Sequence, residues 1–190
     1  MSRIYHNLSC VLLTATLLFV GTNGAAAAEK DEAKKEKERI VQLARGKVVM
    51  LASKQWKKVK PASRIVEVEF SIPPVKGLKQ RARLTFMGAT GGVPANIERW
   101  KRSLKNQTKK PKVEKQKVRG FTIHYVDISG RYQPPPFRRA EKPIADARML
   151  GAIIETQKYG LQFVKLYGER KTISANEKAF KEMLSSLKIK

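Results

Sequence analysis

The run Leu150-Gly-Ala-Ile-Ile-Glu-Thr156, followed by Gln157-Lys-Tyr-Gly160 and Leu161-Gln-Phe-Val-Lys-Leu-Tyr167, decides the fold. Two β-rich stretches around so short a link predict a hairpin, which makes at least one strand pair antiparallel. Downstream, Phe180, Met183, Leu184 and Leu187 form an i, i+3, i+4, i+7 stripe, with Lys178, Lys181 and Lys188 on the wet side. Ser174 and Glu177 before that stripe read as a capping box. Upstream, Val66, Val68, Phe70 and Ile72 alternate with Glu67, Glu69 and Ser71, the pattern of a half-buried strand. Ala82, Leu84 and Phe86 predict a second strand, and Pro94 opens a helix with Val93, Ile97, Trp100 and Leu104 on one stripe. Residues 121–128 return to β composition, with Ser129-Gly130 as the expected turn. The expectation is an α+β domain: a mainly antiparallel sheet packed by helices on one face. The C-terminal helix joins the core against Val66, Val68 and Phe70.

Around this domain the chain is organised by charge. Arg3 precedes an apolar run at residues 11–20, too short for a membrane-spanning helix, and Ala25 to Ala28 supply small residues for cleavage near Ala28. Residues 1–28 therefore read as a signal peptide, placing the protein in the periplasm, on the cell surface or in the medium, with no transmembrane helix after cleavage. Residues 29–47 read as a charged helical lead-in, with Ile40, Leu43 and Ala44 at helical spacing and Gly46 as its stop. Residues 48–190 form one domain, within which 103–119 read as a basic flexible segment. Residues 101–119 hold nine Lys or Arg against one acid, Glu114. The only cysteine, Cys10, lies in the leader, which excludes disulfide and thiolate chemistry from the mature chain.

The chain carries 40 basic and 16 acidic residues, a formal +24. Loss of Arg3 with the leader leaves +23. That excess points to an anionic polymer or surface: acidic polysaccharide, envelope headgroups or extracellular nucleic acid. The residues expected to touch it are Trp56, Lys57, Lys58, Arg99, Lys101, Arg102, Lys109 and Lys110, with further basic clusters at 54–60 and 131–142. Trp56 among lysines reads equally as a stacking platform or a core-edge residue, and Trp100 reads as core. No catalytic set, metal-ligand spacing or cofactor motif stands out. Gly88-Ala-Thr-Gly-Gly92 lacks the Lys-Ser/Thr ending of a phosphate loop. The rival reading is a hydrolase with a site assembled by the fold around His124 and Asp127. A third reading is an assembly partner that binds no small ligand.

Several blocks carry a resemblance. They are Trp56-Lys-Lys-Val-Lys-Pro61, Gly91-Gly92-Val-Pro-Ala-Asn96-Ile-Glu-Arg99-Trp100, Gly120 to Gly130, Met149 to Glu155 and Phe163 to Gly168. Through them the chain resembles a family of uncharacterised exported proteins of planctomycetes and related bacteria. The last 40 residues are also similar to PsbP-like domains, through the Phe180…Met183-Leu184…Leu187 pattern. The first resemblance implies no activity; the second implies an antiparallel sheet flanked by helices and a non-enzymatic binding or assembly role.

Overall fold

In the computed structural model, residues 31–134, except residue 33, and residues 141–190 are described; the leader read at residues 1–28 lies outside them. The expected hairpin is the centre of the molecule. Strand β9 (Ile144–Thr156) pairs antiparallel with β10 (Gly160–Glu169), in a register that sets Gly160 against Thr156 and Leu166 against Leu150. Each member recruits one side of the sheet. β10 pairs β5 (Ala82–Ala89), then β4 (Val68–Ile72) and the short edge strand β3 (Lys57–Val59). β9 pairs β8 (Phe121–Tyr132), whose far side is shared by β7 (Lys112–Val118) and β6 (Leu104–Lys105). Every pairing is antiparallel. A smaller sheet joins β1 (Ile40–Leu43), β2 (Val48–Leu51) and the terminal β11 (Lys188–Ile189).

Alternation along the strands gives the sheet two apolar faces, and both are covered. On the first, Phe70, Leu84, Ile123, Ala152, Ile154 and Leu166 meet the small sheet and the C-terminal helices. Those are α2 (Arg170–Ala175) and α3 (Glu177–Ser185). Phe180, Met183, Leu184 and Leu187 are all buried in the same cluster as Val68 and Phe70, so the terminal helix is core, as its stripe predicts. On the second face, α1 (Val93–Ser103) lays Ile97 and Trp100 over Val126, Ile128, Ile153 and Phe163. The helices thus divide between the two faces, where the sequence suggests one. The reason lies in strands β8 to β10: Ile123 and Ile128, or Val164 and Phe163, are apolar on both sides and each side needs a cover.

Four local expectations change. Residues 34–39 are helical, but the chain turns into strand at Ile40. Val41, Leu43, Val48 and Met50 are buried at a period of two, and positive φ at Ala44, Arg45 and Gly46 closes a tight hairpin where a helix stop is expected. Residues 103–119 are not a flexible segment, since β6 and β7 satisfy the outer backbone groups of β8. Ser129-Gly130 does not turn the chain. It lies inside β8, where a Cβ at Gly130 would stand 2.5 Å from the Lys105 carbonyl oxygen, so glycine lets β6 approach. The capping box is absent as well. Ser174 lies within α2, and Asn176 separates the two terminal helices.

Candidate functional site

Burial decides first among the expected ligand residues. Trp56 is 4% exposed, and its indole Nε1 donates to Asn176 Oδ1 at 2.7 Å. It is a core residue tying the loop before β3 to the α2–α3 break, and it offers no stacking face. Lys57 and Lys58 lie exposed on β3, with Lys58 Nζ donating to the Ile40 carbonyl at 3.4 Å. Arg99, Lys101 and Arg102 ride on α1; Arg99 donates to Asn96 Oδ1, and Lys101 pairs with Glu98 at 2.7 Å. Lys109 and Lys110 are exposed in the link from β6 to β7. The sheet does not bring these groups together. β3 and β6 are its opposite edges, six strand steps apart. At ~4.8 Å per step, that is about 29 Å.

What the structure does assemble is a basic edge running along β8. β6 sets Lys105 beside Arg131, the Thr108 amide donates to the Ser129 carbonyl at 3.3 Å, and β7 sets Lys115 beside His124 and Lys117 beside Thr122. Arg170 anchors the link by donating to Thr108 Oγ1 at 3.0 Å and Asp146 at 2.6 Å. Arg102, Lys105, Lys109, Lys110, Lys115 and Lys117 are all exposed, and none forms an ion pair with a carboxylate among the described residues, although Glu155 is close enough to Lys115 and Lys117 for both to favour its charged form. Lys112-Val-Glu-Lys-Gln-Lys-Val118 shows no apolar alternation that would mark this strand. Its low apolar content hides it, because an edge strand buries little, and lysines there also discourage pairing with other chains.

Behind β7 the same strand walls a cleft of about 330 Å³ against α3. Even-numbered β7 residues face it, together with Tyr125, Asp127 and Leu150 from the sheet and Phe180, Lys181 and Ser185 from the helix. Its charged groups are paired with one another. Arg148 donates to both carboxylate oxygens of Asp127 at 2.9 and 2.7 Å, to Glu177 at 2.8 Å and to Ser174 Oγ at 3.0 Å. Lys181 reaches Glu177 at 2.7 Å and Lys112 reaches Glu114 at 2.6 Å. The Lys181 hydrogen bond, reinforced by Arg148, holds the Glu177 carboxyl below its ordinary value, and burial pushes the Tyr125 phenol up. None of this node was visible in the sequence, since its members come from β7, β8, β9 and the two C-terminal helices.

His124 and Asp127, three residues apart on an extended strand, fall on opposite faces. His124 Nε2 contacts Glu155 at 2.5 Å on the α1 side, where it holds the Glu155 carboxyl below its usual range. Asp127 belongs to Arg148 on the other side. That geometry removes the pairing the hydrolase reading requires. Among the described residues no group of three or more His, Cys, Asp or Glu gathers as a metal site, and no helix is long and apolar enough to cross a membrane.

Solved structures share the arrangement. PA94, a Pseudomonas aeruginosa protein of unknown function, is similar with a TM-score of 0.50 and 15% identity, over 72% of this chain and 98% of its own. The cyanobacterial PsbP protein (CyanoP) of Synechocystis sp. PCC 6803 gives 0.50 at 12% identity, over 80% and 91%. LpqN, involved in cell envelope biogenesis of Mycobacterium tuberculosis, gives 0.49 at 11% identity, over 75% and 82%. The first two share the fold, an α+β arrangement with a mainly antiparallel sheet. No family model and no curated protein matches the chain.

Proposed function

We propose that this is an exported, non-catalytic binding module whose β6–β7 edge holds an acidic polysaccharide. The observation that carries the reading is the row of six exposed cations from Arg102 to Lys117, borne by the end of α1, by β6, by β7 and by the link between those strands, and without an ion-paired carboxylate among the described residues, in a chain of formal charge +24. A fixed row of cations gains more from a charged polymer than a mobile tail does, because less conformational entropy is lost on binding. The two tryptophans separate the ligand classes. Single-stranded nucleic acid is normally held by aromatic platforms beside the charge. Trp56 and Trp100 are both buried, at 4% and 3% exposure, so neither serves. The reading of residues 1–28 as a leader supports export, and the likeness to exported planctomycete proteins in the Gly91-to-Trp100 block agrees with it.

The test is retention of the mature chain on immobilised heparin across a salt series, with a single-stranded oligonucleotide as competitor. Retention should fall linearly in log K against log salt. Replacing Lys109, Lys110, Lys115 and Lys117 by Gln should flatten that slope. Loss of retention at physiological salt, an unchanged slope in the variant, or tighter holding of the oligonucleotide than of heparin overturns the assignment.

A further inference from the structure

We propose that the cleft between β7 and α3 is a binding site for one neutral hydroxylated ring, a single sugar unit, distinct from the cationic edge on the other side of β7. The argument is one of remaining hydrogen-bond capacity. Every charge that lines the cleft already has an opposite partner: Lys112 with Glu114, Asp127 with Arg148, and Glu177 with Arg148 and Lys181. An ionic ligand would have to break one of these pairs, and the cleft has no unpaired charge to offer it. The uncommitted polar groups are neutral. The Tyr125 hydroxyl, half-buried, and the exposed Gln116 amide and Ser185 hydroxyl line the cleft, and none of the three side chains makes a hydrogen bond to a protein group among the described residues. Between them they supply both donors and acceptors.

The remainder of the lining suits the apolar side of such a ring. Val118 and Tyr125, half-buried at its wall, offer the contact surface, over a floor closed by buried Phe180 and Leu150. A volume of about 330 Å³ is at the small end of ligand pockets and enough for one ring. The walls are also fixed. Arg119 Nε donates to the Ser185 carbonyl at 2.8 Å, fastening the end of β7 to the end of α3, while Arg148 fastens the helix start to β8 and β9. Preorganised walls reduce the ordering cost of a weak ligand.

The experiment is two-dimensional amide NMR of the full mature chain, titrated separately with glucose and with glucuronic acid, for wild type, Tyr125→Phe and Lys115→Gln/Lys117→Gln. Glucose should give saturable shifts at Gln116, Tyr125 and Ser185, with a dissociation constant on the order of 1 mM. Tyr125→Phe, which retains the ring and the fold, should weaken it several-fold, and the edge variant should leave it unchanged. No saturable shift with either sugar overturns the site. So does a response confined to glucuronic acid and lost in the edge variant, which would assign all sugar binding to the edge. A glucose response that survives Tyr125→Phe unchanged also overturns it. Failure of heparin retention leaves this result untouched, so the two assignments fail separately.

Discussion

Two residues show how single side chains set this architecture. Gly151 lies in β9 beneath α1, where an added Cβ would meet the Trp100 ring, 2.7 Å from Cε3 and closer still to Cζ3. Trp100 cannot retreat, because Phe163 stands edge-on to it with centroids 5.0 Å apart. Gly151→Ala should therefore cost about 1–3 kcal/mol, the usual cost of overpacking a filled core. Urea denaturation followed by tryptophan fluorescence measures it, and an unchanged midpoint would mean that α1 is not held against β9. Asn176 is the second. Its side chain accepts from the Trp56 indole and donates to the Thr172 carbonyl at 2.8 Å, so it serves one tertiary contact and closes the end of α2 in place of capping α3. Asn176→Ala strands a buried indole N–H and should destabilise by about 1–3 kcal/mol. Ser174→Ala should cost under about 0.5 kcal/mol, because that hydroxyl receives one exposed Arg148 bond and caps nothing. Reversal of that order in denaturation midpoints would restore the capping box.

Among the elements, α3 was readable and β7 was not, for opposite physical reasons. The helix buries Phe180, Met183 and Leu184, so its contacts are written in its own period. Phe180→Ala should cost roughly 3–5 kcal/mol in equilibrium unfolding, and no change would detach the helix from the sheet. β7 buries nothing fully; its strand state comes from backbone bonds to β8, which no side-chain pattern records. β1 misled in a third way, since Ile40, Leu43 and Ala44 fit a helical spacing while the buried set is Val41 and Leu43. β4, β5 and α1 were legible because each has one dominant apolar face, and the central hairpin because two β-rich runs flank a short link. The cleft was not, because Tyr125, Gln116 and Ser185 meet only through the fold. Arg148 joins these elements, and its loss leaves Asp127 and Glu177 half-exposed with fewer partners. Glu177 titrates below its ordinary value when folded, so its stabilisation is present above the usual carboxylate range and is lost as pH falls through the depressed value. Arg148→Met removes part of that depression. The stability gap between wild type and Arg148→Met should thus be widest near neutrality and narrow by about pH 3. Paired urea titrations read this, and a gap independent of pH would mean that Arg148 acts through packing alone.

At the scale of the whole molecule the question is whether +24 is a uniform coat or a located surface. Self-repulsion from such a charge weakens the compact state in dilute buffer, and added salt screens it over a Debye length of about 10 Å at 0.1 M. Moderate salt should therefore raise the unfolding midpoint of the free chain while lowering its affinity for heparin. Located charge makes a sharper statement. Lys57 and Lys58 lie on one edge of the large sheet, and Lys109 and Lys110 lie in the link along the other. Lys57→Glu/Lys58→Glu and Lys109→Glu/Lys110→Glu remove the same amount of positive charge from these exposed positions. A polymer that samples only net charge must respond equally to both. A polymer seated along β6 and β7 loses direct contacts in the second variant and only long-range attraction, largely screened at physiological salt, in the first. The second variant should therefore elute from heparin at clearly lower salt and with a flatter slope of log K against log salt. Far-UV circular dichroism of both variants checks that the sheet is intact. Identical elution of the two would mean that the basic residues form a coat, and that the β6–β7 edge has no privileged ligand.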